Sequence, residues 1–356
     1  MQVLSPTGFF KPDKKKKLTA IGLNIYGGGF TVGALRNFNV LGQWEEINLA
    51  RKTFDLNFAN IPRPLKFNEW PVDEFKGVNL VYGNPPCAPW SNASNVKGRN
   101  MDHRFGDPRL ELTEHTMRTA LKLKPEVFVL ESVENAYNYG KSFYTQYVNA
   151  WLEAGYAVTY FLTDAVLHGA PCRRRRFHFF AHRVAIDFGP EPVDINPVTV
   201  RDCIGDLKKK KLGSDLMHYE ISRGRWNEAK YRPILKTVPV KGKLINYLPD
   251  DFDGVRPSMM CQRLGWDSIA PTVVGFNYLI HPDGNRWITF REGMRLMTYP
   301  DQFIARVDVP DATDTVLPLM GEVLTGLAKR AIENKKRVKP VHTIIDWRHH
   351  GKKFWR

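Results

Sequence analysis

One cysteine of this sequence stands where a chain can present a reactive thiol. Residues 78–82 have the β-branched and aromatic character of a short buried strand, and the next two residues end it. Pro85 and Pro86 then fix two φ angles immediately before Cys87. Open α/β sheets bind ligands at the carboxyl edge of their strands, so the pattern predicts that Cys87 is a catalytic nucleophile. An ordinary buried cysteine is the alternative interpretation of this stretch alone.

Two further groups of polar residues stand beside apolar runs. Glu131 directly follows the apolar residues 127–130, and a carboxylate at the end of such a buried strand is costly to leave unpaired, which favours a place in a site. Four arginines at 173–176 precede the predicted strand 177–181. If they already belong to that strand, alternation places Arg174 and Arg176 on one face, where they can meet an anion or a base.

A glycine-rich segment, residues 27–33, follows the first predicted strand, residues 18–26. Glycines between a strand and a helix free amide donors and let the backbone approach a nucleotide or nucleoside, although a tight turn without ligand explains them equally well. The second predicted strand, residues 40–46, ends in Glu45 and Glu46. An acidic residue about twenty positions beyond the glycines can accept hydrogen bonds from ribose hydroxyls, and the two glutamates leave the register open.

The elements that must position these residues are helices and strands in alternation. Helical patterns cover 49–58, 110–123, 143–154 and 314–332, another helix begins at 289–296, and a further strand covers 156–162. Residues 92–108 form a long polar segment, which is typical of a mobile lid and equally of a plain solvated loop.

Composition restricts the partners of the chain. Its 356 residues carry a formal net charge of +15, with basic runs at 14–17, 173–176, 208–211 and 335–337, which favours nucleic acid over an anionic membrane surface. No apolar run reaches the ~18 residues of a membrane span, and the basic start lacks a signal-peptide core, so we expect a soluble, cytoplasmic protein. The four cysteines contain no CxxC pair, which predicts reduced thiols and no structural zinc site.

The composition of the sequence changes near residue 184, where Pro and Gly become more frequent. We therefore predict, in order, a basic arm over 1–17, a large catalytic and cofactor-binding domain over 18–183, a small irregular β-rich domain over 184–285, a return to the large domain over 286–340 and a peripheral basic tail over 341–356. Basic and aromatic residues interleave in the small domain as nucleic-acid contacts do: Arg223, Arg225, Trp226, Lys230 and Tyr231.

The order of these features resembles that of the DNA cytosine-5 methyltransferase family over most of the chain. Any one match is modest, but the ordered set is specific. The matching segments are Gly28-Gly29-Phe30 with Gly33, Glu46-Ile47, Pro85-Pro86-Cys87 with Ser91, Asp107-Pro108-Arg109, Glu131-Ser132-Val133, Arg174 with Arg176, 200–207, 289–292 and 299–300.

The resemblance implies a Rossmann-like class I methyltransferase domain with a smaller, irregular β-rich target-recognition domain. The implied reaction transfers a methyl group from S-adenosylmethionine to C5 of a flipped cytosine in double-stranded DNA, in a bacterial or phage-infected cell. Cys87 would add to C6, Glu131 would hold and protonate the base, and Arg174 and Arg176 would stabilise it. Ser91, Asp107 and Arg109 would contact the substrate. The implied cofactor-binding residues are Tyr26, Gly28, Gly29, Phe30, Glu46, Ile47, Pro85 and Glu322. A monomer is expected.

Some positions depart from the family pattern. Asn24-Ile25-Tyr26 stands where the family has Phe-x-Gly, and Ser132, Cys172 and Glu322 replace its usual Asn, Gln and Asn. These changes leave the nucleophile, the acid and the arginines intact, so an active enzyme is predicted; Asn24, Tyr26 and Glu322 also motivate the hypothesis of an altered cofactor.

Three other functions are compatible with parts of the pattern. A tRNA cytosine-5 methyltransferase would use Cys87 and Glu131 in the same way. A catalytically silent nucleic-acid-binding protein would keep the fold and the basic charge. A dinucleotide-dependent oxidoreductase would explain the glycines and Glu46 but not Arg174 and Arg176.

Overall fold

The computed structural model describes residues 9–45, 48–58, 61, 70, 72–91, 101–192, 195–220, 228–254, 256–257, 260–274, 279–305 and 314–348. Its strands are β1 (Thr19–Leu23), β2 (Asn39–Trp44), β3 (Leu80–Gly83), β4 (Val127–Val133), β5 (Ala157–Asp164), β6 (Arg175–His182), β7 (Gln262–Arg263), β8 (Leu279–Ile280) and β9 (His342–Asp346). Its helices are α1 (Gly29–Asn37), α2 (Asn48–Asn57), α3 (Met101–Phe105), α4 (Leu110–Leu123), α5 (Glu134–Tyr139), α6 (Lys141–Glu153), α7 (Val200–Ile204), α8 (Glu228–Leu235), α9 (Phe290–Leu296) and α10 (Pro318–Asn334).

Seven of the described strands form one sheet in the order β2-β1-β3-β4-β6-β5-β9. The first four are parallel, whereas β6 runs antiparallel to both of its neighbours. Since the chain leaves β1 first for β2 on one side and then for β3 on the other, the strand order reverses at β1. Open α/β sheets bind ligands at such a reversal, and the predicted α/β, Rossmann-like fold is confirmed.

Strand β4 is longer than predicted. Its parallel pairing with β3 stops at Leu130, which lies opposite Gly83, but its antiparallel pairing with β6 continues to Val133 opposite Arg176. Glu131 is therefore inside the strand rather than after it. The change from a parallel to an antiparallel neighbour is what brings the start of β6 to the carboxyl end of β4.

Helices α1 and α10 pack closely through glycines. A Cβ on Gly33 would lie 2.3 Å from the backbone of α10, at the Pro318 carbonyl oxygen and the Glu322 nitrogen. A Cβ on Gly321 would lie 2.8 Å from the carbonyl oxygen of Phe30. Only residues without a side chain permit this approach, so α1, which follows the glycine-rich turn after β1, is fixed against α10.

The described chain folds as two compact units. The first comprises residues 1–164, 175–193 and 315–356, and the second comprises 165–174 and 194–314. This division differs from the predicted boundaries at 183/184 and 285/286. Within the second unit, Arg295 of α9 donates to Asp206 at 2.6 Å and to the Cys203 carbonyl at 3.3 Å, which ties the segment around α9 to α7. The region predicted as a basic tail contributes β9, which pairs in parallel with β5.

The second unit is irregular. Its regular strand structure within the described residues is the two-residue pair β7 and β8, and its core includes Tyr231, Leu235 and Trp287. Tyr231 is fully buried there, and Lys230 donates to Asp253, whereas Arg223, Arg225 and Trp226 lie outside the described residues. None of the described helices is long and apolar enough to cross a membrane.

We predict that Gly33→Ala destabilises the protein by about 2–3 kcal/mol, because the added methyl group meets the backbone of α10. Thermal unfolding followed by circular dichroism measures the change. Gly326→Ala, on the partner helix α10, is the control, since its Cβ would meet only side-chain ends, at 3.4 Å and beyond. That change should be neutral or stabilising by about 0.5–1 kcal/mol. Equal effects of the two substitutions would contradict the packing argument.

Candidate active site

The turn after β3 carries the cysteine. The backbone N–H of Asn84 donates to the carbonyl oxygen of Asn24 at 3.0 Å, which anchors the turn to the end of β1. The Cys87 carbonyl accepts hydrogen bonds from the backbone of Trp90 and Ser91, both at 3.0 Å, and Trp90 is fully buried. Cys87 itself is half-buried. Pro85 and these bonds hold the thiol at the carboxyl edge of the sheet, where β1 and β3 meet.

A buried carboxylate lies beside this turn. Glu131 is only 3% exposed, and each of its two oxygens accepts a charge-assisted hydrogen bond. Asn84 Nδ2 donates to Oε2 at 2.6 Å, and Arg176 Nε lies 2.8 Å from Oε1. Arg176 also donates to the carbonyl of Arg175 at 2.7 Å, so its guanidinium group is held in place. The structure thus brings Glu131 and Arg176 into direct contact.

A second ion pair lies near the thiol. Arg109 Nε donates to Asp107 Oδ1 at 2.8 Å, and this side-chain hydrogen bond holds the pKa of Asp107 below its ordinary value. The charge of Arg109 also interacts electrostatically with Cys87 and with Tyr26. A positive charge beside a cysteine favours the thiolate, which is the nucleophilic form.

The turn after β1 combines a left-handed backbone with a buried carboxylate. Asn24, Tyr26 and Gly28 have φ angles of 51°, 53° and 90°. The N–H of Tyr26 donates to Glu45 Oε2 at 2.7 Å, and Glu45 is 1% exposed at the end of β2. A carboxylate beside a glycine turn at the strand-order reversal is the group that accepts hydrogen bonds from ribose hydroxyls, so these residues fit a nucleoside cofactor.

The loop before α10 also reaches this turn. Thr315 Oγ1 accepts a hydrogen bond from the Gly29 N–H at 3.3 Å and donates to the Ile25 carbonyl at 3.4 Å. It therefore joins the start of α1 to a segment near the other end of the chain.

Several predicted site residues have other surroundings. Phe30 has no exposed surface and packs its ring 4.8 Å from that of Tyr82, so it is a core residue and does not line the open side of the turn. Glu322 lies in α10, where its backbone nitrogen packs against Gly33 of α1 and its carbonyl accepts a hydrogen bond from the Asn37 side chain. Glu46 and Ile47 lie outside the described residues.

The predicted pairing of Arg174 with Arg176 on one strand face is not observed. Strand β6 begins at Arg175, so the alternation argument does not reach Arg174, which is buried and belongs to the second compact unit.

Two residues of the site, Asn84 and Thr315, were not among the predicted ones, and Glu45 had been left as an alternative to Glu46. The sequence contained a signal for Glu45, which competed with Glu46 for the end of the second strand. Asn84 had a weaker signal as a polar residue at the end of a buried strand. Thr315 had none, since its partner Gly29 is 286 residues away in sequence.

Known proteins resemble this chain over most of its length. The sequence profile of the family described as C-5 cytosine-specific DNA methylase matches residues 18–321. M.MJ0563P of Methanocaldococcus jannaschii, provisionally named a type II methyltransferase, is 28% identical over 331 residues, which are 86% of this chain and 97% of that protein. The type II methylase M.HgiDII of Herpetosiphon aurantiacus is 25% identical over 355 residues, covering 89% of this chain and 97% of that one.

Solved structures show the same fold. A provisionally named DNA modification methyltransferase encoded within an E. coli prophage aligns with a TM-score of 0.65 and 19% identity, covering 89% of this chain and all of that one. The Entamoeba histolytica methyltransferase EhMeth aligns with a TM-score of 0.62 and 14% identity, covering 90% of this chain and 100% of its own.

The mostly parallel α/β sheet is the Rossmann-like fold of class I methyltransferases, and the sequence profile identifies the family within that class. The chain belongs to the C-5 cytosine-specific DNA methylase family and is a DNA (cytosine-5-)-methyltransferase.

We predict that iodoacetamide at pH 8 modifies Cys87 before the other cysteines, as followed by peptide mass spectrometry. Burial raises the pKa of Cys203 and of Cys261 to about 12, so little thiolate forms there at pH 8, and Cys172 is fully buried. Arg109→Met should slow labelling of Cys87 by ~2- to 10-fold, because it removes the nearby charge.

Arg118→Met is the control for that substitution. Arg118 lies on α4 with its side chain 69% exposed and pairs only loosely with Glu114 at 3.6 Å. Its replacement should leave the rate at Cys87 unchanged. Labelling of Cys203 as fast as Cys87 would contradict the predicted reactivity.

Proposed function

We propose that this enzyme methylates C5 of a flipped cytosine in double-stranded DNA through a transient bond between Cys87 Sγ and C6, with S-adenosylmethionine as methyl donor. Loss of the C5 hydrogen as a proton then accompanies cleavage of the Sγ–C6 bond, which frees Cys87 and restores the aromatic ring. The observation that carries the proposal is Glu131, buried and held by Asn84 and Arg176 beside the turn that carries Cys87. A thiol next to an oriented carboxyl group is the arrangement that addition to a pyrimidine requires. The named type II relatives support a restriction-modification context.

Cys87 supplies the nucleophile. C5 of cytosine attacks electrophiles poorly, and addition of a thiolate to C6 turns C5 into an enamine carbon that attacks readily. The stiff turn after β3 directs the thiol, while the positive charge of Arg109, held by Asp107, favours the thiolate. We assign Asp107 and Arg109 to this activation, and we place Ser91, whose N–H closes the turn, at the substrate side of Cys87.

Glu131 and Arg176 stabilise the charge that the addition creates. When the Sγ–C6 bond forms, electron density moves onto the ring. In its protonated form the Glu131 carboxyl group would contact N3 and the exocyclic amine and give its proton to N3, and the proton returns to Glu131 when the Sγ–C6 bond breaks. Arg176 fixes one oxygen of Glu131 and adds positive charge near the ring carbonyl. We assign the ring-oxygen contact to Arg176, and the predicted role of Arg174 stays a separate proposal.

The turn after β1 would hold the cofactor. Glu45 would accept hydrogen bonds from the ribose, and Tyr26, Gly28, Gly29 and Pro85 would lie beside the ligand. When bound, S-adenosylmethionine supplies an electrophilic methyl group. Because the target atoms are hidden in a duplex, the cytosine must leave the base stack to reach this edge of the sheet.

We predict that the wild-type enzyme, supplied with S-adenosylmethionine, forms a covalent adduct with duplex DNA that carries 5-fluorocytosine, since fluorine at C5 blocks release of Cys87. Denaturing gel electrophoresis and mass spectrometry detect it. Cys87→Ser should abolish the adduct, whereas Cys203→Ser in the second unit should keep it. Glu131→Gln should slow its formation by ~10²- to 10⁴-fold, the usual contribution of general acid catalysis.

The same assay on tRNA separates the two nucleic-acid substrates. Adduct and methyl transfer on duplex DNA but not on tRNA are expected. Methylation of tRNA alone, or an undiminished adduct with Cys87→Ser, would overturn the proposal.

We predict that Glu45→Gln weakens the binding of S-adenosylmethionine by ~10- to 100-fold, because charge-assisted hydrogen bonds to the ribose are lost. The glutamine retains an oxygen for the Tyr26 N–H, so the turn should persist. Isothermal titration calorimetry measures the affinity. Glu153→Gln, at the exposed end of α6, is the control and should bind normally. Equal affinities of Glu45→Gln and wild type for S-adenosylmethionine would contradict the assignment of Glu45 to the cofactor site.

A further inference from the structure

Asn84 contacts the carboxylate of Glu131, lies on the turn that carries Cys87 and bonds to the turn after β1. Asn84 is 4% exposed and immediately follows β3. Its backbone N–H donates to the carbonyl of Asn24, and its side-chain Nδ2 donates to Glu131 Oε2 at 2.6 Å. Cys87 follows three residues later on the same turn. A displacement of Asn84 would therefore move the acid relative to the nucleophile.

The hydrogen bonds of Asn84 are not those of a generic buried amide. Its Oδ1 is buried and has no hydrogen-bond partner among the described atoms, while its Nδ2 meets a carboxylate. Buried amides are normally bonded at both ends, and unpaired polar atoms in native proteins concentrate at functional sites. Asn84 therefore donates from Nδ2 to Glu131 even though its own Oδ1 stays unpaired among the described atoms.

Glu131 needs both of its donors to keep one orientation. Arg176 reaches only Oε1, and a carboxylate held at one oxygen can still turn about its last side-chain bond. The donor on Oε2 comes from a different strand end, so the two bonds together fix the plane of the carboxyl group. A donor to the carboxylate also avoids the repulsion that a second acceptor would introduce.

We propose that Asn84 is a positioning residue that orients Glu131 for protonation of the target cytosine at N3. This inference rests on the proposed role of Glu131. The residue acts through the carboxylate and makes no bond to the reacting atoms. Its removal lowers the rate of addition and leaves the binding of DNA and cofactor intact.

A double-substitution cycle tests the proposal. N84D keeps the size of the side chain but replaces the donor to Glu131 with an acceptor. We expect N84D to slow adduct formation on 5-fluorocytosine DNA by about 10- to 100-fold, the factor that a hydrogen bond to a charged group contributes. The Kd values for DNA and S-adenosylmethionine should stay within about twofold of wild type.

The decisive readout is the interaction between the two substitutions. If Asn84 acts through Glu131, then N84D in an E131Q background should slow the reaction by no more than about twofold beyond E131Q alone. Independent, multiplicative effects would overturn the inference, as would an N84D enzyme with the wild-type rate. If N84D does not fold by circular dichroism, Asn84→Ala takes its place in the same cycle.

Asn79→Asp is the matched control. Asn79 lies next to the amino end of β3, and its Oδ1 accepts from the Thr19 backbone at 2.8 Å, an acceptor that aspartate retains. It should leave the rate unchanged. Absence of adduct and methyl transfer with the wild-type enzyme would defeat the proposed function itself. If the wild-type enzyme is active and N84D forms the adduct at the wild-type rate, only the positioning role of Asn84 is contradicted.

Discussion

The hydrogen bonding of one buried carboxylate constrains the architecture of the site. A charged group that is 3% exposed must be given hydrogen bonds from the protein, because removing one partner of such a group costs about 3–5 kcal/mol. Glu131 receives one bond from the end of β3 and one from the start of β6. Strand β3 ends at Gly83, opposite Leu130, and β6 begins near the end of β4, with Arg176 two residues before the partner of Glu131.

The change of strand direction at β6 serves this requirement. A parallel strand beside β4 would present its carboxyl end and a following loop at this edge. The antiparallel β6 instead presents its first residues, Arg175 and Arg176, with Arg176 opposite Val133. Regular strand geometry then aims a guanidinium group at Glu131. The arginine is placed by the sheet itself, which fixes it more firmly than a loop would.

The sequence allowed prediction of the features that depend on short-range pattern. Cys87 and Glu131 stand beside apolar segments whose residue types predict buried strands. The helix over 110–123 was predicted in the same way, from its hydrophobic periodicity. Other predictions depended on where an element begins. The alternation of Arg174 with Arg176 required both to belong to the strand, which starts one residue after Arg174. Glu322 was matched to the family on a two-residue motif, and it lies within a helix that starts at Pro318. Contacts between distant residues, such as Thr315 with Gly29, leave no local pattern at all.

The packing of α1 on α10 explains why a segment so distant in sequence belongs to the site. The start of α1 provides amides of the turn that we propose as the cofactor site, and its position depends on the backbone contact between Gly33 and α10. Thr315 precedes α10 by three residues and bonds the Gly29 N–H, so one rigid helix pair sets both the packing and this hydrogen bond. A shift of α10 would change the turn that carries Tyr26 and, through the Asn24 carbonyl, the backbone of Asn84. A continuous series of contacts thus leads from Thr315 before α10, through Ile25 and Asn24, to Asn84 and Glu131.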